Sequence, residues 1–424
     1  EKKDRYFMNF IKDESKAAWK YIWTFVKWLF IAGVTGIVGG FVGTAFNLSV
    51  SWATGTRMAH PWLLLLLPVS GLLIAGLYRL TKMENENTNA IIDSIHFGDK
   101  VPLMLVPAIF ISTTITHLFG GSAGREGAAL QIGGSLGCYI GRAFHLDDKD
   151  MRLATLCGMS AVFAALFGTP LTATLFALEV ISVGVIYYSA LVPCIVASLF
   201  ALEMANIFGI APTHFDVVIE PISELMLLKV SALAIVCSLM STVFCLSMHK
   251  TEHLFAKLIK NPYLRIAAGG ALVVLITAIL GTGDYNGAGM NIIKRAIEEG
   301  QAKPDAFFWK LILTAITIGC GFKGGEVVPT FFIGATLGCV LGSLLGIPTG
   351  FAAALGLICV FCGAVNCPVA SIVLSIELFG STDLVYFALA CGIAYMLSGY
   401  FGLYSSQKIM YSKLKAEFIN IHAK

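Results

Sequence analysis

Long apolar runs recur along almost the whole chain, and they restrict its fold more than any other feature. A bilayer core about 30 Å thick needs roughly 20 apolar residues in one helix, and only 13% of the 424 residues are charged, against about 25% in soluble domains. Several runs are interrupted by Gly, Ser or Pro, so we expect a dozen or more segments, some too short to span. The pattern predicts an all-α polytopic membrane protein with runs near 22–48, 61–80, 101–119, 155–183, 184–208, 226–248, 266–282, 306–320, 330–346, 351–376 and 383–402.

The positions of the basic residues predict the orientation in the membrane. Lys and Arg concentrate in residues 2–27, in 250–265 and in the tail after Tyr404, and cytoplasmic segments carry such an excess. We therefore expect a multi-pass protein of the cell membrane with both termini cytoplasmic. Residues 1–21 are predicted to form an N-terminal cytoplasmic amphipathic helix, and 404–424 a C-terminal helix ending in the cytoplasm.

The sequence contains an internal repeat. GREGAALQIGGSLGC at 124–138 is similar to GGEVVPTFFIGATLGC at 324–339, and 161–180 is similar to 359–378. We therefore expect two membrane halves, 22–212 and 213–403, with the substrate site at their interface near the membrane midplane. The paired Gly-rich elements are where helices are expected to break, since irregular backbone at membrane depth is tolerated only where it is buried or lines an aqueous path.

Two glutamates occupy equivalent places in these elements and are the candidates for the chemistry. Glu126 and Glu326 each lie where a Gly-rich turn opens into an apolar helix. A helix start presents unpaired N–H groups and the positive end of the macrodipole, which together bind an anion. A carboxylate can occupy that site itself and leave it when protonated. The alternative is a structural cap, paired with Arg125 in the first half or with Lys323 in the second.

Other conspicuous residues are better explained by structure. Glu179 and Glu377 end apolar runs at equivalent positions, which is more typical of structural carboxylates. His117 is isolated among apolar residues, which favours packing over a proton relay. Cys359 and Cys362 lie in an apolar stretch without His or a second CxxC, so a metal site is not predicted. We expect no cofactor, no nucleic-acid partner and no ATP-driven step.

At these motifs the chain resembles the CLC family of chloride channels and proton-coupled anion exchangers. GSAGREGAAL is similar to that family's GREGP element, GGEVVPTFFIGATLG to its GxFxP element, and GYFGLYSSQ at 399–407 to a later helix. The resemblance covers about residues 22 to 410. It implies an inverted repeat of many tilted and broken helices and a homodimer with one pathway per subunit. It also implies that Glu126 is the external gating glutamate and that Tyr404 donates its hydroxyl to the anion.

The departures from the family pattern are similar to its fluoride-exporting branch. The usual GSGIP is replaced by NENTNAIIDSIH at 85–96, which places Asn87 as the substitute anion ligand, with Thr88 or Asn89 as alternatives. Val180 stands where proton-coupled chloride exchangers carry an internal proton glutamate. Fluoride is strongly hydrated, so its site needs many hydrogen-bond donors. The resemblance implies that these come from the Asn87 or Thr88 segment, the Tyr404 hydroxyl and the half-helix starts at Gly127, Val327 and Val328.

Val328 and Ala128 are further departures. Val328 lacks the hydroxyl that some fluoride exporters are expected to carry there, and Ala128 replaces the proline that usually follows GREG. Because Val180 cannot hold a proton, Glu326 is the expected proton-coupling residue.

These features favour a proton-coupled antiporter in the lipid bilayer that exports fluoride in exchange for protons. The alternatives are a chloride/proton exchanger and a passive anion channel of the same fold. A membrane-embedded enzyme using the paired glutamates as acid and base is a third class, but it lacks the nucleophile and metal motifs of such enzymes.

Overall fold

The computed structural model describes the backbone of residues 2–84, 86–98, 101–218 and 220–424, and the side chains of 1–15 and 17 are outside this description. Helices α1 to α8 form the first half of the described chain: α1 (Lys2–Ala59), α2 (Leu67–Thr81), α3 (Thr88–Phe97), α4 (Leu105–Leu118), α5 (Glu126–Ala143), α6 (Asp148–Phe167), α7 (Pro170–Glu179) and α8 (Leu191–Ile207). Short 3₁₀ helices, Pro61–Leu66 and Tyr188–Ala190, precede α2 and α8.

The second half repeats the same order of helices about 200 residues later. Its helices are α9 (Glu224–Leu258), α10 (Pro262–Leu280), α11 (Met290–Glu298), α12 (Ala306–Gly319), α13 (Val327–Leu345), α14 (Thr349–Val365), α15 (Pro368–Phe379) and α16 (Leu384–Leu397). Each helix therefore has an equivalent in the other half, as the sequence repeat predicts.

Several of these helices are long and apolar enough to cross a membrane. Seven helical stretches in the described residues qualify: Ala18–Ala59, Pro61–Thr81, Asp148–Phe167, Tyr188–Ile207, Glu224–Leu258, Pro262–Leu280 and Val327–Leu345. Five shorter apolar helices accompany them, including α4 and α12, which end just before the Gly-rich elements. The predicted polytopic helical fold with broken helices is confirmed.

Glycines allow equivalent helices to cross at backbone contact. A side chain at Gly133 or Gly158 would overlap the facing backbone where α5 crosses α6, and Gly334 and Gly356 have the same relation where α13 crosses α14. Small residues at such crossings let helices approach closely in a membrane, where packing contributes strongly to association. The repeat is therefore present in the packing as well as in the sequence.

The two halves exchange carboxylate caps. Glu179, the last residue of α7, accepts hydrogen bonds from the N–H groups of Val369 and Ala370 at the start of α15, at 3.2 and 2.9 Å. Glu377, near the end of α15, accepts from Leu171 and Thr172 at the start of α7 in the same way. Each helix start thus adjoins the other's end, so α7 and α15 run antiparallel, as an inverted repeat requires. The structural role predicted for both glutamates is confirmed.

The predicted C-terminal helix over 404–424 is wrong. This segment forms strands β2 (Lys408–Tyr411) and β3 (Phe418–His422), and β2 also pairs with β1 (Ser182–Val183). The sequences KIMY and FINIH include isoleucine and aromatic residues, which favour strands, and β1 offers an edge with which β2 can pair. Lys413, counted with the cytoplasmic tail, is half-buried and donates to Ser398 Oγ at 2.9 Å.

The prediction of an amphipathic helix at 1–21 concerns residues whose side chains are mostly outside the described part of the protein. The backbone of α1 continues from Lys2 to Ala59 without a break at 21/22. Its amphipathic character therefore stays a prediction, as do the domain limits.

Candidate anion site

The Gly-rich loops before α5 and α13 are hydrogen-bonded to each other. Gly124 N–H donates to the carbonyl of Gly325 at 2.7 Å, and Gly325 N–H donates to that of Gly124 at 2.8 Å, which forms an isolated antiparallel bridge. A Cβ at Gly325 would lie 2.5 Å from the amide nitrogen of Gly127 and 2.8 Å from that of Glu126. The bridge therefore needs glycine, and it holds two helix starts side by side inside the protein.

Glu126 lies at the first of these helix starts and is fully buried. Its Oε2 accepts from the Arg125 N–H at 2.9 Å, while Oε1 lies 3.7 Å from Arg125 Nε and has no hydrogen-bond partner among the described residues. The N–H group of Val328, from the other half, also faces this carboxyl group. The Arg125 side chain donates instead to Asn47 Oδ1 at 2.6 Å. The carboxylate therefore accepts from an N–H group at the start of α5 and lies next to the start of α13, with one oxygen unsatisfied.

Glu326 lies at the second helix start, facing the first. Its Oε2 is 3.1 Å from where a Cβ of Gly127 would lie, and that oxygen is buried without a partner in the described chain. Lys323, the alternative partner, places its Nζ 4.2 Å from the ring centroid of Tyr78, and no ion pair with Glu326 is found among described side chains. The carboxyl groups of Glu126 and Glu326 therefore each lie next to the helix start of the opposite half.

Tyr404 is buried, 2% exposed, and its hydroxyl has no hydrogen-bond partner in the described part of the protein. Buried polar atoms are nearly always hydrogen-bonded, and an orphan indicates a missing water or ion. Glu126, Glu326 and Tyr404 each have such an oxygen, which no described group of the protein binds.

The three candidates at the start of α3 have different surroundings. Asn87 is exposed and caps α3, its Oδ1 accepting from the Ala90 N–H at 3.1 Å. Thr88 is buried, and its hydroxyl accepts from Gln131 Nε2 at 3.1 Å. Asn89 Oδ1 accepts from the N–H of Ser406, close in sequence to Tyr404, at 3.1 Å. The α3 start is thus tied to the Tyr404 segment, and the choice of ligand among these residues stays a prediction.

The remaining predicted positions are also buried. Gly127 and Ala128 lie in the first turn of α5, and Val327 and Val328 in the first turn of α13. Val180, at the place of the family's proton glutamate, is fully buried, and its carbonyl accepts from Gln407 Nε2 at 3.0 Å.

Sequence reasoning missed two buried polar residues. Lys310 in α12 is fully buried and donates to the carbonyls of Tyr285, at 3.1 Å, and Gly287. Gln407 is also fully buried and bridges the carbonyls of Val180 and Val365. A lone lysine within an apolar run was the signal that would have found Lys310. Gln407 had no comparable signal, because its environment is created by β2.

The residues assigned to packing lie in the interior. His117 is fully buried, with Nδ1 2.9 Å from the carbonyl of Thr113. All eleven cysteines are buried with free thiols.

Comparison with known proteins places these motifs in context. The family model described as voltage gated chloride channel matches residues 70–399. A chloride/fluoride channel protein of Pseudomonas syringae pv. tomato is 39% identical over 396 residues, which is 91% of this chain and 87% of that protein. An uncharacterized protein of Methanocaldococcus jannaschii is 25% identical over 390 residues, 89% of this chain and 95% of its own.

Two solved structures also resemble this chain over most of its length. The crystal structure of a CLC-type fluoride/proton antiporter superposes with a TM-score of 0.88 at 32% identity, covering 90% of this chain and 98% of the other. A slow cyanobacterial Cl⁻/H⁺ antiporter superposes with a TM-score of 0.72 at 20% identity, covering 88% and 94%, and supports the fold alone.

Proposed function

The chain belongs to the family of voltage-gated chloride channels, the CLC family, and from that premise we propose that it is an antiporter that exports fluoride in exchange for protons. One observation carries the proposal. The loops before the helix starts of the two halves are hydrogen-bonded at Gly124 and Gly325, and buried Glu126 and part-buried Glu326 each keep a buried, unpartnered carboxyl oxygen there.

Glu126 is the gate in this mechanism. As a carboxylate it accepts from helix-start N–H groups and fills the place an anion would take. Once protonated it is a weaker acceptor and releases those N–H groups, so an anion enters when a proton has bound. One residue thereby links anion occupancy to proton binding.

Glu326 carries the proton on the other side of the site. It adjoins Gly127 across the bridge, and Val180 has no titratable group. A desolvated carboxylate next to an anion is costly, and protonation removes that cost. Arrival of an anion therefore draws a proton to Glu326.

Fluoride is the substrate that this site favours. The absence of GSGIP and the 39% identity to a protein named for chloride and fluoride both support it. The ligands we assign are the Asn87 or Thr88 segment, the unpartnered Tyr404 hydroxyl and the N–H groups of the α5 and α13 starts. Such donors replace the hydration shell of a small anion. Chloride/proton exchange is the second candidate, since a Cl⁻/H⁺ antiporter shares the fold.

Purified protein in proteoliposomes tests substrate and coupling together. Vesicles loaded with fluoride or chloride are opened to flux while an ion-selective electrode and a pH electrode record both movements. We expect fluoride to move far faster than chloride and protons to move in the opposite direction. Equal or faster chloride flux would contradict the fluoride assignment, and anion flux without proton movement would indicate a passive channel.

Amide variants of the two glutamates test their roles. Glu126→Gln imitates the protonated gate permanently, so fluoride-driven proton transport is expected to vanish. Glu326→Gln is expected to abolish coupled exchange while the protein stays folded. Glu203→Gln, an exposed carboxyl in α8, is the control. Retained coupling in Glu326→Gln would reduce that residue to a helix cap, because Gln still accepts from N–H groups.

We further propose a homodimer with one pathway per subunit and cytoplasmic termini. The basic residues near the N-terminus and in 250–265 support that orientation. Light scattering of the purified protein in detergent measures the subunit number, and protease access to a terminal tag in sealed vesicles measures the orientation.

A further inference from the structure

Two cations, Arg57 and Lys310, lie at the turn formed by residues 285–287, and neither forms an ion pair with a described carboxylate. The side chain of Arg57, at the end of α1, makes no hydrogen bond or ion pair with any described residue, and its Nη1 is buried. The guanidinium lies over Gly287, with both Nη atoms 3.1 Å from where a Cβ of that glycine would be. An arginine with a buried, unpartnered nitrogen is costly unless something absent from the protein chain accepts its hydrogen bonds.

Asn286 presents a second free donor at the same place. It is only 4% exposed, and its Oδ1 accepts from Thr277 Oγ1 at 3.2 Å. Its Nδ2 donates no hydrogen bond to the described residues and lies 3.5 Å from where a Cβ of Gly120 would be. The Arg57 side chain reaches the same point, its Cδ lying 3.3 Å from that position. The aliphatic part of Arg57 and the amide of Asn286 therefore both lie at Gly120, while the guanidinium lies over Gly287, the residue next to Asn286.

Lys310 adds a second positive charge to this turn. Its Nζ donates to the carbonyl of Gly287, the residue over which the Arg57 guanidinium lies. Two buried or half-buried cations at one glycine repel each other, and this repulsion is stronger than in water because the effective dielectric constant there is lower. The acidic residue of the same loop, Asp284, is already held by Lys303 at 2.7 Å. An anion bound at the turn would offset the repulsion and satisfy both free donors.

The cluster is connected to the gate by hydrogen bonds. Gly287 N–H donates to the carbonyl of Gly121 at 3.0 Å, and Ser122 Oγ donates to the carbonyl of Tyr285 at 2.8 Å. Residues 121 and 122 lead directly into the loop that carries Glu126. The turn at 285–287 is thus attached to the approach to Glu126.

We propose that Arg57 and Asn286 bind a small anion at the turn 285–287. This second anion site supplies anions to the site at Glu126 and receives them from it, on the side of the membrane where α1 ends. Lys310 is a positioning residue that holds the turn. The inference rests on the proposed anion transport for its role, but the binding itself does not require transport.

Two substitutions test the site from opposite directions. Arg57→Met removes the charge and keeps much of the side-chain length. Asn286→Asp supplies a carboxylate that pairs with Arg57 and fills the site. Lys294→Met, which removes an exposed positive charge of α11 that pairs with Glu298 at 3.6 Å, is the matched control for long-range electrostatics.

Transport is measured in oriented proteoliposomes, with fluoride varied on one face at a time. Both substitutions are expected to raise the apparent KM for fluoride about tenfold on the face where α1 ends, which is the effect of losing one charge-assisted hydrogen bond. The maximal rate and the KM on the opposite face are expected to change little. An unchanged KM, an equal rise on both faces, or an equal rise in Lys294→Met would overturn the proposal.

Binding in detergent separates this proposal from the proposed function. Fluoride that binds the folded protein raises its melting temperature relative to gluconate, and Arg57→Met is expected to lose part of that rise. If the wild type transports no fluoride but the variant still loses stabilisation, the site stands and the antiporter assignment fails. If the variant keeps the full stabilisation, the site is refuted whether or not the protein transports.

Discussion

The exchanged carboxylate caps predict a specific loss of stability when either is replaced by an amide. Glu377 accepts at 2.9 and 2.8 Å from two N–H groups at the start of α7, and Glu179 makes the equivalent pair of bonds to α15. Glu377→Gln keeps one acceptor oxygen and turns an NH₂ group toward a donor. It therefore loses one hydrogen bond to a charged group, about 1.5–3 kcal/mol, and the carboxylate's interaction with the helix dipole, about 0.3–1 kcal/mol. We expect the unfolding free energy to fall by about 2–4 kcal/mol.

The buried cysteines provide the assay. All eleven thiols are free and buried, so a thiol-reactive fluorophore reports unfolding as the protein is heated or titrated with denaturing detergent. Glu179→Gln is expected to cost a similar amount, and Glu203→Gln, an exposed carboxyl, less than about 0.5 kcal/mol.

The double variant tests whether the two caps act independently. α7 has ten residues, so its two ends are about 15 Å apart, and effects at such separations usually add. A Glu377→Gln protein as stable as the Glu203→Gln control would refute the reasoning that these bonds join the two halves.

Three further predictions concern the site's supports. Gly325→Ala is expected to separate the bridged loops and abolish most transport, because its Cβ would lie 2.5 Å from the amide nitrogen of Gly127. Gly76→Ala, in α2 with nothing within 4 Å, should leave flux unchanged in the same vesicles. Gln407→Leu leaves the buried Val180 carbonyl unpaired and the Val365 carbonyl with only the Cys367 thiol. It is expected to cost about 1–3 kcal/mol, measured by thiol exposure on heating; an unchanged melting curve would show that other groups satisfy these carbonyls. Lys310→Met is expected to increase hydrogen exchange of the 285–287 turn, and unaltered exchange would mean that Lys310 does not hold it.

Much of this protein could be predicted from the sequence because the signals are local. An apolar run long enough for a bilayer predicts a membrane helix wherever the run occurs, and a repeated motif predicts equivalent halves. Glu126 and Glu326 were found because each stands in a Gly-rich turn before an apolar helix, which is a pattern within a few residues.

What the tertiary structure decided depends on contacts between distant residues. Whether 404–424 is helix or strand depended on the edge that β1 offers, more than 200 residues earlier. The role of Glu377 as a cap depended on the start of α7 lying beside it, and the meeting of Arg57 with Asn286 depended on how α1 packs against the second half. Such contacts are determined by the packing of the whole chain, because the free energy of burying a polar group depends on its partners and not on its sequence neighbours.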